Sequence, residues 1–210
     1  LYTSAQHTDR DSYYGSKKDL NAYGKTTDLT FIGGSQYVYS FDKCLFMPAD
    51  LTAGLEYNRD NLKDDMWGYN RYTRQTVNIG SAFFQNEWKN EKWSILLGGR
   101  LDKHNLINHV IFSPRANLRF NPTQDVNLRL SYSSGFRAPQ AFDEDLHIEN
   151  VGGTVSMIER AKNLKEEKSQ SFSASADMYH RFGAFQVNFL VEGFYTKLSD
   201  VFVLENIGVR

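Results

Sequence analysis

Two features of the chain limit its fold most. One is a two-residue period in its apolar residues. The other is an alternation of long and short intervals between the periodic stretches. Successive side chains of a strand point to opposite faces of a sheet. Val126, Leu128, Leu130 and Tyr132 fall on one face, and Asn127, Arg129, Ser131 and Ser133 on the other. Arg115 to Phe120 repeats the pattern. Leu51, Ala53, Leu55 and Tyr57 oppose Thr52, Gly54, Glu56 and Asn58. Phe172, Ala174, Ala176 and Met178 oppose Ser173, Ser175 and Asp177, and Phe185, Val187, Phe189, Val191 and Tyr195 make one more apolar face. The pattern predicts about nine strands: 1–8, 23–41, 48–58, 72–88, 92–102, 110–120, 126–135, 169–180 and 184–203. The stretches 23–41 and 72–88 alternate less cleanly, and their faces stay unassigned. Helix is expected only as a turn or two within 140–168.

The intervals are long at 9–22, 59–71 and 136–168 and intermediate at 103–109. They are short at 42–47, Lys89–Glu91, Asn121–Gln124 and Arg181–Gly183. In an up-and-down antiparallel sheet, every second connection lies at the same end. All the long connections therefore gather at one end and all the tight turns at the other. Transmembrane β-barrels of the outer-membrane kind sort their connections this way, with short periplasmic turns and long extracellular loops. A soluble barrel or sandwich has no reason to. The tight turns are also flanked by Phe41, Phe46, Trp88, Trp93, Phe120, Phe182 and Phe185, as in the aromatic girdle at a membrane–water interface. Aromatics capping a soluble core are the plainer explanation, and the loop asymmetry weighs against it.

The opposite face carries Glu56, Arg115, Asn117, Arg119, Asn127 and Arg129. Buried charges cost several kcal/mol each unless paired, so these side chains suit a wide, wet lumen better than a packed core. An open set of about nine or ten strands leaves two edges unpaired, which lipid does not tolerate. Residues 1–210 are therefore expected to be one part of a larger barrel. The signal peptide, a plug domain and the closing strands would lie outside the chain.

Composition removes other classes. The 24 Lys+Arg balance 25 Asp+Glu, which argues against nucleic-acid binding. No run of 18 apolar residues offers a membrane-crossing helix, and the mixed polar stretch Leu1–Arg10 is not a signal peptide. A single cysteine, Cys44, excludes a disulfide framework. It lies beside an expected periplasmic turn, with nothing to support a reactive role. No His-Glu-x-x-His, Gly-x-Ser-x-Gly or phosphate-binding glycine loop is present, so no enzyme is expected.

An ordered set of short stretches resembles the barrel of TonB-dependent outer-membrane receptors. These are Leu51–Tyr57, Phe84–Trp88, Phe112–Leu118, Leu128–Tyr132, Gly135-Phe136-Arg137-Ala138-Pro139 and Asn163-Leu164-Lys165-Glu166-Glu167-Lys168-Ser169. The acidic run Ala141 to His147 is similar to Bacteroidetes-type members. The resemblance covers roughly 50–200. It implies a 22-stranded barrel closed by a plug, importing a siderophore-like metal chelate or a cobalamin-like vitamin with energy from the TonB complex. The implied partners are that nutrient, the TonB complex through the plug, outer-membrane lipid and a surface lipoprotein. No resident cofactor is implied. Haem receptors of the family carry a Phe-Arg-Ala-Pro box and an Asn-Pro-Asn-Leu box with a histidine between. Here Phe136–Pro139 matches and His147 lies between, but the second box reads Ala161-Lys162-Asn163-Leu164. Haem is thus the alternative ligand. A soluble β-rich binding module and an outer-membrane enzyme rank lower.

The residues expected to bind are His147, His104 and His109 in long loops, Arg137 in the Phe-Arg-Ala-Pro box, and Trp67, Tyr69 and Arg71 near the end of the 59–71 loop. Imidazoles ligate metals. Rings and guanidinium groups suit planar or anionic ligands. Each also has an ordinary explanation as a polar loop residue. Asp143, Glu144 and Asp145 are oxygen donors of the calcium-binding type, without the spacing of an EF-hand.

Overall fold

The computed structural model describes residues 1–13, 22–141, 146, 149–151, 154–156, 158–161 and 163–208. They form one antiparallel sheet of nine strands plus a small hairpin. The strands are β1 (Tyr2–Tyr13), β2 (Tyr23–Cys44), β3 (Met47–Met66), β4 (Arg71–Lys89), β5 (Trp93–His104), β6 (Ile111–Thr123), β7 (Val126–Arg137), β10 (Glu167–Phe182) and β11 (Phe185–Ser199). The hairpin strands β8 (Glu149–Val151) and β9 (Thr154–Ser156) pair only with each other and lie within the β7–β10 link. The large sheet runs β1-β2-β3-β4-β5-β6-β7-β10-β11 and is not closed on itself.

The strand count agrees with the sequence pattern, but the strand lengths do not. The expected strand 48–58 continues to Met66. Most of the expected loop 59–71 is therefore ladder, leaving a 3-10 turn at Trp67–Tyr69, closed by Asn70 in the left-handed region (φ 49°). The expected strand 1–8 likewise reaches Tyr13. Above Tyr57 the alternation is lost because polar side chains enter both faces, with Leu62 and Met66 the apolar exceptions inside. Arg59, Asn61, Lys63 and Asp65 face out, while Asp60 and Asp64 face in. The last strand ends at Ser199, short of 203. Of the helical turn expected within 140–168, Leu146 is helical, and most of the surrounding positions lie outside the described residues.

At 3.3–3.4 Å per residue, the 20 residues of β3 reach about 66 Å. Only about 9–11 residues are needed to cross the hydrocarbon layer. The outward apolar band marks that part: Leu51 to Tyr57 on β3, Phe172 to Phe182 on β10 and Phe185 to Tyr195 on β11. The upper ends of β2, β3 and β4 project beyond it as a wall.

The aromatic girdle sits at the tight-turn end. Phe46 stacks on Trp88 at 5.6 Å, and Trp93 stacks on Phe120 at 4.1 Å. Trp88 Nε1 also donates to the Cys44 carbonyl at 2.9 Å. Trp88 thus has an apolar face and a hydrogen-bonding edge, as the interface demands. Two glycines on the inner wall make room for neighbouring rings. A Cβ at Gly34 would strike the ring of Tyr2, and one at Gly54 would strike both Ser35 O and the ring of Phe83.

Candidate functional site

The inner wall carries a polar lattice because strand parity turns every second residue of each strand inward. Midway up, one guanidinium joins three strands. Arg100 reaches Glu56 Oε1 at 2.6 Å, Asp102 Oδ1 at 2.7 Å and Ser81 Oγ at 2.7 Å. Ser81 Oγ donates to Asp102 Oδ1 at 2.6 Å. Tyr2, lying across Gly34, donates its hydroxyl to Glu56 Oε2 at 2.7 Å. The network runs from β1 to β5 and satisfies charges that would otherwise be costly to hold together.

Above the apolar band the wall becomes acidic. Asp60 on β3 and Asp28 on β2 share the inner face, one diagonal step apart. Partial burial, followed by the Asp28 charge, pushes the Asp60 carboxyl up to about 6. Asp64 is fully buried and accepts from Thr26 Oγ1 at 2.6 Å. Arg10 donates to the same Thr26 hydroxyl at 3.4 Å.

Over this wall lies the segment that follows β7. The Phe136-Arg137-Ala138-Pro139 box is where the chain turns inward. Ala138 is buried with Ile107 and Ile111, against Phe136. Ala141 and Leu146 are buried with Leu62 of β3. Small apolar side chains allow this close approach, and polar wall residues take up the backbone groups the segment brings inside. Gln75 Oε1 accepts the Ala141 N–H at 2.8 Å, and Gln75 Nε2 donates to the Ala141 carbonyl at 3.3 Å. Arg160 donates to Gln75 Oε1 at 2.9 Å and to the Pro139 carbonyl at 3.1 Å. Arg71 donates to the Leu146 carbonyl at 3.1 Å.

His104 belongs to this assembly. It has no exposed surface. Its Nδ1 accepts the Leu106 N–H at 3.0 Å, which leaves Nε2 as the N–H that meets Gln140 Oε1 at 3.0 Å. Both ring nitrogens are thus occupied in holding the segment. His109 is exposed and meets Glu166 Oε1 at 3.1 Å, where Lys168 also binds at 3.0 Å. Burial opposes ionisation of Glu166. Its own backbone N–H, Lys168 and His109 outweigh that and hold the carboxyl below the ordinary glutamate value.

The expected binding residues therefore separate. Arg71 and His104 come together around the inward segment. Arg137 stands beside Glu167 at 3.8 Å and below the ring of Phe202. Trp67 is exposed at the tip of the β3–β4 hairpin, with Tyr69 half-buried beside it. His147, Asp143, Glu144 and Asp145 lie outside the described residues. Among the described residues, no group of three or more His, Cys, Asp or Glu side chains is placed to hold a metal ion. Gln75, Arg160, Gln140 and Arg100 do not stand out in the sequence by type or motif. Gln75 shares inward parity with Arg71, so a firm register for 72–88 would have picked it out, and Arg100 shares that parity with Asp102 on the next strand.

Across residues 1–209 the chain matches the family described as TonB dependent receptor-like, beta-barrel. No curated protein matches it. Among solved structures, it is similar to the siderophore receptor PirA from Pseudomonas aeruginosa, at 15% identity and a TM-score of 0.64, covering 84% of this chain and 33% of that one. The ferric enterobactin receptor PfeA from the same organism, solved as a mutant, gives 19% and 0.60, with coverages of 85% and 29%. PirA from Acinetobacter baumannii gives 16% and 0.55, with coverages of 93% and 38%. At such identities the likeness speaks for the fold. The chain spans about a third of the length of these receptors.

Proposed function

The chain belongs to the TonB-dependent receptor family of bacterial outer-membrane proteins, and on that premise we propose that the whole protein takes up a metal chelate of the siderophore class with energy supplied through TonB. The observation that carries this reading is the inward segment, held over an open polar wall by arginines and amides. Arg71 and Arg160 spend their donors on the carbonyls of Leu146 and Pro139. Charge-assisted bonds from guanidinium to an anionic oxygen are stronger than those to a neutral carbonyl. An acidic chelate entering the mouth would compete for both arginines and loosen the segment. Trp67 and Tyr69 at the hairpin tip offer rings on which an aromatic chelate could first settle. The chemistry is binding and gating, without a covalent step.

The test uses the full-length receptor in detergent, with ferric catecholate, ferric hydroxamate, cobalamin and haem offered separately and binding read by quenching of protein fluorescence. Saturable binding of a ferric chelate is expected. The Arg71→Ala, Arg160→Ala double variant should weaken it by about tenfold or more, the worth of roughly 1.4 kcal/mol. Binding of cobalamin or haem alone, or undiminished affinity in the double variant, would overturn the reading.

A further inference from the structure

The outward surface holds a feature that uptake does not use. Across β5, β6, β7, β10 and β11 the wall is indented by a cavity of about 620 Å³, lined almost wholly by apolar groups. Its floor is small (Ala116, Ala174 and Gly193). Its upper side is aromatic (Tyr132, Phe172 and Tyr195). Register explains the shape. Tyr132, Phe172 and Tyr195 are direct cross-strand neighbours in one row, and Ala174 and Gly193 are neighbours one outward step lower. The rings of Tyr132 and Phe172 stand 4.8 Å apart. At 4.7–4.9 Å per strand, the indentation is roughly 19 Å wide.

Its height on the wall indicates its occupant. The outward apolar band of β11 ends at Tyr195, and the next outward residue is Lys197, paired with Gln170. Both are exposed. The groove therefore lies directly below the end of the band that carries the long connections, with a cation about 7 Å above it. That end faces the outer leaflet. An amphiphile with acyl chains and an anionic headgroup matches both parts, since cations at a membrane surface draw anionic lipid heads. We propose that this groove is a site for one anionic, phosphate-headed lipid of the outer leaflet, its chains over Ala174 and Gly193 and its phosphate on Lys197. The site is independent of the ligand chamber on the opposite face of the sheet.

The full-length receptor, purified in neutral detergent, is offered phosphatidylglycerol or phosphatidylcholine with the same acyl chains. Retained lipid is then counted by native mass spectrometry after washing. Wild type should retain about fivefold more of the anionic lipid, the effect expected of one lysine near a membrane surface. Ala174→Trp and Gly193→Trp should each lose retention of both lipids, and Lys197→Glu should lose the preference alone. A Cβ at Gly193 meets nothing within 4 Å, so that variant tests the groove even if Ala174→Trp fails to fold. No lipid on the wild type, equal retention of the two lipids, or full retention in Gly193→Trp would overturn the proposal.

Discussion

Gln75 holds Ala141 by both ends of its amide, accepting the backbone N–H at 2.8 Å and donating to the carbonyl at 3.3 Å. One side chain of β4 thus does for the inward segment what a neighbouring strand does in a ladder. Replacing it with leucine leaves both backbone groups buried without partners. Each such loss costs about 1–3 kcal/mol. The Ala141 amide in Gln75→Leu should exchange its hydrogen at least about tenfold faster than in wild type. Hydrogen-exchange mass spectrometry of the full receptor reads this directly, and unchanged protection would show that the clasp is not what secures the segment.

His104 secures the same segment from β5. Alanine there deletes a buried ring and strands both the Leu106 N–H and Gln140 Oε1. A loss of about 2–4 kcal/mol is expected, read as a lower midpoint in urea unfolding from lipid vesicles. Glutamine can restore one of the two bonds and should recover part of the loss. If alanine proves as stable as wild type, the ring carries no structural load and is free for another role.

Asp60 makes the upper wall sensitive to pH. Its carboxyl, at about 6 against an ordinary 3.8, holds a proton more tightly when folded than when unfolded. The added stability is fully present below the ordinary value and is lost as pH rises through about 6. Thermal unfolding of the full receptor should give a higher midpoint at the acid end of that window than at neutral pH. Asp60→Asn should flatten the difference. A midpoint that rises with pH across the window in wild type, and is unaltered by the substitution, would contradict the raised Asp60 carboxyl.

At the girdle, Trp88→Ala removes the stack on Phe46 and the bond to the Cys44 carbonyl. The stack is worth about 0.5–1.5 kcal/mol beyond its area, and the hydrogen bond about 1 kcal/mol. Trp88→Phe keeps the first and loses the second, so its loss should fall between wild type and alanine. Unfolding from vesicles measures all three proteins. Equal stability across them would remove Trp88 from the interface.

The sequence showed the membrane-spanning part plainly, because there one face is apolar and the other is not. Val126 to Ser133 and Phe172 to Met178 keep their parity in the structure. It showed the projecting wall poorly. Just beyond Tyr57 polar side chains fall on both faces, so Arg59, Asp60 and Asn61 give no two-residue contrast, and strand there looks like loop. The candidate site was legible only in part for a related reason. Arg71 and His104 stood out by residue type, but what joins them is the inward course of Ala138 to Ala141 and Leu146. That course depends on contacts with residues more than 60 positions away, such as Gln75 and Leu62. Local pattern does not carry such contacts.

The claim beneath all of this is that β7 and its neighbours form a membrane wall, with lipid on one side and water on the other. The direct measurement places single spin labels along residues 126 to 133 of the full receptor, with Cys44 replaced by serine. It compares collisions with oxygen, which concentrates in lipid, against a water-soluble nickel chelate. Labels at 126, 128, 130 and 132 should favour oxygen, and labels at 127, 129, 131 and 133 should favour nickel. A profile without a two-residue period, or with nickel reaching both sets equally, would contradict the account.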